Sequence, residues 1–308
     1  MNLHLFYHIK PFLPRFLQLL LRRLHVRVQK CLKRNIWPID PSAGRKPDNW
    51  PGWPNRARFA VVLTHDVESQ KGHDRCKKLM ELEARLGFRS SFNFVPEGYT
   101  VSSELRRFLE KNGFEVGVHG LNHDGRLYSS RQEFLTRAKK INHYLREWQV
   151  VGFRSPSMHH NLEWLHNLDI AYDLSTFDVD PFEPQPDGVK TIFPFWVEGR
   201  DGRDGYAELP YTLVQDFTLF VLMREKTIDL WKQKVDWIVE NGGMVLVNVH
   251  PDYLAFDGAK PTAEEFPARL YQDLLQYLNE NYAGQYWNPL PREMADFVKQ
   301  NRISYTGR

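Results

Sequence analysis

The sequence predicts an α/β fold, a parallel and closed sheet of the (β/α) barrel kind with a helical arm at its N-terminus. Two observations predict it. Short apolar runs of β-formers break abruptly into ionisable groups in Arg58–Glu68, in Phe114–Asp124 and in Gly243–Pro251. Runs this short and apolar read as strands buried on both faces, and charged groups just past them stand at the C-terminal rim, where β/α folds do chemistry. Helical periodicities alternate with these runs, each stopping at a Gly or Asn. With 308 residues, 42% apolar and 14% aromatic, the chain has enough material for one barrel with a full core.

In chain order, residues 1–36 form the arm, 37–57 a Pro-rich linker and 58–308 the barrel. Residues 1–35 hold eight Lys/Arg and no Asp or Glu, so against a total of +3 the remainder is mildly acidic, at −5. Between Phe16 and Val28 no apolar run exceeds three residues. That excludes a transmembrane helix and argues against a secretory signal, which places the protein in the cytoplasm. A basic amphipathic helix remains. It either docks on the body by its leucines or lies on an anionic bilayer, peripheral to the inner membrane face. Nucleic acid is not an expected partner, because nothing else pairs basic and aromatic groups in a binding pattern. Cys31 and Cys76 match no metal or redox spacing and are compatible with a reducing compartment.

Pro38–Pro54 is too rich in Pro and Gly to continue a helix, and its Trp50 and Trp53 are expected to lie on the body. A strand over Arg58–Glu68 leads to a helix over Lys71–Leu86 that stops at Gly87. A second strand covers Ser90–Val95. Ser102 caps a helix that ends at Asn112-Gly113. After the strand to Val118 come a helix from about Ser130 to Trp148, a strand near Val150–Phe153 and a short helix over Asn161–Leu168. Asp169–Tyr211 is less regular, with short strands and a hairpin connection at 198–205. A helix over Glu225–Asn241, the strand Gly243–Val249 and helices near Ala263–Asn281 and Arg292–Gln300 complete the chain.

The chemistry is expected at the strand ends. His119 and His123 are four apart; on a helical turn that spacing puts both rings on one side, able to grip one cation, with Gly120 between them relieving crowding. Surface or capping histidines are the plain alternative, but a carboxylate from another strand end completes the three-ligand set of a catalytic zinc site. Asp66 and Glu68 allow one carboxylate to bind metal while the other accepts a proton from water. His250, fixed by Pro251, suits a general acid, and Arg154 would pair with a rim carboxylate and keep it ionised.

Together these motifs resemble the polysaccharide deacetylase (NodB-homology, carbohydrate esterase 4) family, whose fold is a distorted (β/α) barrel. Thr64-His-Asp-Val-Glu68 resembles its first motif, His119-Gly-Leu-Asn-His123 its metal-binding second, and Gly152-Phe-Arg-Ser-Pro-Ser157 its arginine-bearing third. Phe177-Asp-Val-Asp-Pro181 resembles the fourth, whose Trp and Asp line the site and tune the last histidine. Val249-His250-Pro251 resembles the fifth. Val67 departs from the family's adjacent Asp pair, and Phe182-Glu183 stands where an Asp-Trp pair is usual. Three outcomes are open: Glu68 replaces the missing ligand with Asp66 as base, Asp66 binds the metal and the base is lost, or the chain follows the family's metal-free branch, which hydrolyses cyclic amides.

The resemblance implies a metal-dependent hydrolase that removes acetyl groups from an N- or O-acetylated sugar or a lipid- or nucleotide-linked glycan precursor. Asp66, His250 and Arg154 would do the catalysis, and Glu68, His119 and His123 would hold a divalent metal, zinc by ligand type. Pro156, Asp180, Trp196, Tyr211 and the aromatic residues around Phe177 to Phe195 would contact the sugar. The rivals are a metal-free amidohydrolase of the same fold and a non-catalytic carbohydrate-binding protein.

Overall fold

The computed structural model describes residues 14–200 and 202–307. The first thirteen residues of the expected arm, and Asp201 in the expected hairpin connection, lie outside them.

The sheet grows from one strand. β1 (Phe59–Val67) is buried at all nine positions, as a strand covered on both faces must be. One edge pairs in parallel with β8 (Met244–Asn248) and the other with β2 (Ser90–Phe94). Parallel pairing continues through β3 (Glu115–His119), β4 (Gly152–Arg154), β5 (Tyr172–Asp173) and β7 (Tyr206–Glu208), and β6 (Phe195–Val197) adds an antiparallel edge. The backbone N–H groups of Thr212 and Leu213 donate to the Leu246 carbonyl at 3.0 and 3.1 Å, so the segment after β7 curls back onto β8. The result is a distorted (β/α) barrel.

The helices fall where their periodicity and caps put them. The Ser102 hydroxyl accepts from the Leu105 N–H at the start of the helix Ser103–Lys111, and Ser130 does the same for Glu133 ahead of Arg131–Trp148. Asp229–Asn241 ends at Gly242 with φ +71. Trp50 packs against Trp53 and Phe193, and the Trp53 indole donates to the Gly242 carbonyl, so the linker lies on the body.

Two segments differ from the periodic expectation. Phe217–Leu222 is a π-helix buried at every position, so it has no apolar stripe to read, and the helix expected from Glu225 starts at Asp229. The helix expected from Ala263 starts at Arg269, because Phe266–Pro267 pairs as a short strand with Leu254–Ala255.

The arm forms helix α1 (Arg15–Leu32), which packs on the π-helix. Gln18, Leu19 and Val26 are buried there, each apolar one contributing about 1.5–3 kcal/mol if wholly transferred from water. Arg15 pairs with Glu264 and Lys30 with Glu225, while Arg23 donates to the Val221 carbonyl. Phe16, Leu20, Leu24, Val28 and Leu32 are exposed. The helix thus docks by one face and leaves an apolar face outward.

Candidate metal and catalytic site

Strand alternation sorts the polar residues that end β1. His65 turns outward, its Nε2 2.8 Å from Glu83 Oε1 and its Nδ1 2.8 Å from the Val249 carbonyl. Asp66 turns inward. Its Oδ1 accepts from Asn93 Nδ2 at 3.1 Å and Arg154 Nη1 at 3.2 Å, and its Oδ2 accepts from Asn248 Nδ2 at 2.8 Å. Burial opposes the charge on Asp66, but Arg154, His119 and His250 overrule it and hold the carboxyl well below its usual range. Arg154 is itself wholly buried and also donates to the Leu174 carbonyl at 2.9 Å.

His119 closes β3. Its Nδ1 lies 3.2 Å from the Arg154 carbonyl, which leaves Nε2 buried with no hydrogen-bond partner. The two rings of the His-x3-His pair come together with centroids 5.2 Å apart, but not on a helical turn. Gly120 at φ +61 and His123 at φ +51 reverse the chain instead. The expectation of a helical turn is corrected here: β3 runs to His119, so the spacing works through a left-handed bend. A Cβ on Gly120 would lie 2.4 Å from Pro156 Cγ. Pro156, expected against substrate, therefore backs the turn and does not line the cavity.

Glu68 stands one residue past β1. Its Oε1 is 3.0 Å from His123 Nε2, and its Oε2 accepts from the Tyr253 hydroxyl at 2.6 Å. Glu68, His119 and His123 each bring one ligand atom to within 4.8 Å of the others. His119 Nε2 is buried without a hydrogen-bond partner, while His123 Nε2 meets Glu68, and a cation bound among the three would satisfy the orphaned nitrogen. This set of two imidazoles and one carboxylate fits zinc. Burial lowers His119 to about 4 against the pull of Asp66, so its ring is neutral, as a ligand must be. For His123 burial works the same way, but the Glu68 carboxylate outweighs it and the value is raised.

His250 faces this cluster from the end of β8. Its Nε2 is 4.0 Å from Asp66 Oδ2 and 3.9 Å from Glu68 Oε1. Behind it, Asp216 Oδ1 sits 2.7 Å from Nδ1, and Asp216 Oδ2 accepts the His250 N–H at 2.8 Å. Burial disfavours the imidazolium, but Asp216, then Glu68 and Asp66, push His250 up to about 10. Asp216 was not foreseen; it caps the π-helix, and only the tertiary fold brings it to His250.

The cluster opens into a cavity of about 330 Å³, walled also by Phe182, Glu183, Phe217 and Tyr253, by the left-handed Ser157 and Met158, and by Arg15, Arg22, His25 and Val26 of α1. The other expected sugar contacts lie elsewhere. Tyr211 is buried behind the wall, its hydroxyl within hydrogen-bond distance of Asp180 and Glu183. Asp180 is buried and accepts also from the Phe182 N–H; the carboxylate that orients His250 is Asp216 instead. Trp196 sits on the edge strand under Arg302 and does not line the cavity. The aromatic wall is built by Phe182, Phe217 and Tyr253, which loops and the π-helix bring in.

Solved structures share this architecture. A Mycobacterium smegmatis protein described as a polysaccharide deacetylase aligns with a TM-score of 0.62 at 18% identity, covering 85% of this chain and 96% of its own. The chain has the polysaccharide deacetylase fold. The PuuE allantoinase shares the fold at TM-score 0.60 and 14% identity, covering 84% of this chain and 96% of its own. A Pseudomonas aeruginosa PAO1 protein also described as a polysaccharide deacetylase aligns at 0.58 and 14% identity, covering 85% and 95%. No family model matches the sequence, and no curated protein does.

Two outcomes test this geometry. Gly120→Ala puts a Cβ into Pro156 at a positive φ and should cost roughly 1–3 kcal/mol by urea denaturation, with weaker zinc uptake. Unchanged stability and affinity would mean the bend does not set the ring positions. The raised His250 makes the second outcome pH-dependent. Its stabilisation is fully present below its ordinary value near 6.5 and is lost as pH rises through about 10. In chelator-treated protein, stability should therefore fall between pH 7 and 10, and Asp216→Asn should flatten that slope.

Proposed function

We propose that this chain is a metal-dependent deacetylase acting on an N- or O-acetylated sugar. The observation that carries the reading is the convergence of Glu68, His119 and His123 within 4.8 Å, with Asp66 and His250 beside them and 4.0 Å from each other. A divalent cation, zinc by ligand type, supplies Lewis acidity when bound, polarising the acyl carbonyl and acidifying a water.

The protein does the rest. Asp66, ionised by Arg154, accepts the proton of the attacking water. His250, protonated and oriented by Asp216, gives a proton to the departing amine or alcohol. The Arg154 carbonyl fixes the tautomer of His119 and so presents its Nε2 to the metal. Phe182, Phe217 and Tyr253 give the sugar an apolar face to pack on, and they exclude water from the acyl group. The likeness to an allantoinase, with Val67 in the first motif, favours one second reading, a metal-free amidohydrolase. Elemental analysis of active protein prepared without chelator separates the two.

The arm supplies the second part of the proposal, peripheral contact with an anionic membrane. Among the described residues no helix is long and apolar enough to cross a membrane. The outward face of α1 carries Phe16, Leu20, Leu24, Val28 and Leu32 beside the exposed Arg27 and Arg34. That combination suits insertion into an anionic leaflet. The two free cysteines, Cys31 and Cys76, suit its cytoplasmic side.

His119→Ala should abolish zinc uptake and deacetylation together, whereas Asp66→Asn should keep zinc and lose roughly 10²–10⁴ in kcat. Undiminished turnover in the first variant would remove the metal from the mechanism. Sedimentation with anionic vesicles should weaken at high salt and drop in the Leu20→Glu/Leu24→Glu variant. Equal sedimentation of that variant, or a stable dimer in solution that covers the same face, would end the membrane assignment.

A further inference from the structure

The arm's inward face contributes to the cavity as well as to docking. Arg15, Arg22, His25 and Val26 of α1 line it together with Glu68, His119 and His123. The cations on this helix are not equivalent. Arg15 is held by both oxygens of Glu264, at 2.6 and 2.8 Å; Lys30 pairs with Glu225; Arg23 donates to the carbonyls of Val221 and Ala263. Arg22 has no carboxylate within ion-pair distance among the described residues. Its guanidinium lies over the Phe217 ring, 4.8 Å from the centroid, a stacking that leaves the N–H edge available.

The acids that share the cavity are already committed. Asp66 is held by Arg154, Asn93 and Asn248, Glu68 by His123 and Tyr253, and Glu183 by Tyr211 and Gln215. Arg22 acts on Glu183 and Glu264 only from beyond ion-pair distance, so its half-buried guanidinium has room for an oxyanion from the ligand. The space also continues. A second cavity of about 280 Å³ adjoins the first, sharing His25 and Glu183, and runs beside the next turns of α1, lined by Gln29, Lys33 and, from the opposite wall, Lys190. A terminal carboxylate would end at Arg22. A phosphate in ester linkage has a further substituent to place, and the second cavity gives it room.

We propose that Arg22 forms an oxyanion subsite beside the metal centre, and that the acylated sugar carries a phosphate there whose other substituent extends along α1 toward Lys33. The proposal rests on the hydrolase reading for its substrate, but its test does not. Full-length, chelator-treated protein is titrated calorimetrically with inorganic pyrophosphate, so that neither metal nor turnover enters the readout. Binding should weaken at least tenfold in Arg22→Gln and less in Arg22→Lys, which keeps the charge without the planar fork. Equal affinity in Arg22→Gln, or no binding to the wild type, overturns the subsite. Displacement of pyrophosphate is then measured with an N-acetylhexosamine 1-phosphate, its nucleotide diphosphate ester and a polyprenyl diphosphate ester in mixed micelles. Displacement by the polyprenyl ester assigns the phosphate to a membrane lipid, and displacement by the soluble esters to a soluble precursor; either supports the subsite. Displacement by none overturns it. Phosphate binding without deacetylation would sink the hydrolase reading alone, and deacetylation indifferent to the phosphate would sink the subsite alone.

Discussion

The guanidinium of Arg154 is the tie on which the rest of the site depends. It is buried in the barrel and reaches three neighbours: Thr64 Oγ1 and Asp66 Oδ1 on β1, and the Leu174 carbonyl beyond β5. Its own backbone carbonyl accepts the Gly120 N–H and orients the His119 ring. One residue thus ionises the proposed base, aims a proposed metal ligand and anchors the bend that delivers the second histidine. A buried charge is tolerable only when paired, and breaking such a pair costs about 3–5 kcal/mol. Stability and site geometry therefore rest on the same contact.

A second buried pair joins Asp216 to His250. Asp216 accepts both the backbone and the ring N–H of His250, which makes the imidazole a cation facing two carboxylates. Asp66 is held low by its cation and His250 high by its anion, a separation that suits the proposed base and acid. A cation bound by Glu68, His119 and His123 would draw both downward by its own charge.

Helix α1 extends the rim chemistry outward. Its inward side supplies cations to the cavity, and its outer side carries an apolar stripe about one helix diameter away, roughly 10–12 Å. One element thus closes the site and faces the surroundings.

The periodicities in the sequence foretold the alternating strands and helices, and the residues that collect at the rim were visible because each followed an apolar run. Asn93 and Asn248 also carried a signal, being amides within otherwise apolar strands. The His-x3-His spacing was legible while its geometry was not, since a spacing of four serves a helical turn and a left-handed bend alike.

Sequence by itself therefore determined the strand ends and the ionisable groups on them, because a buried strand must be apolar until it reaches the rim. It did not determine what faces those groups across the cavity. Asp216, Phe217, Tyr253 and helix α1 come from a loop, a π-helix and an arm with no periodic pattern that points to the site. Trp196 and Tyr211, expected against the sugar, are drawn into the packing of the edge strand and the wall. Only the closure of the sheet, which brings Asp66 and Asn248, 182 positions apart, into hydrogen-bond range, decided which side chains share the site.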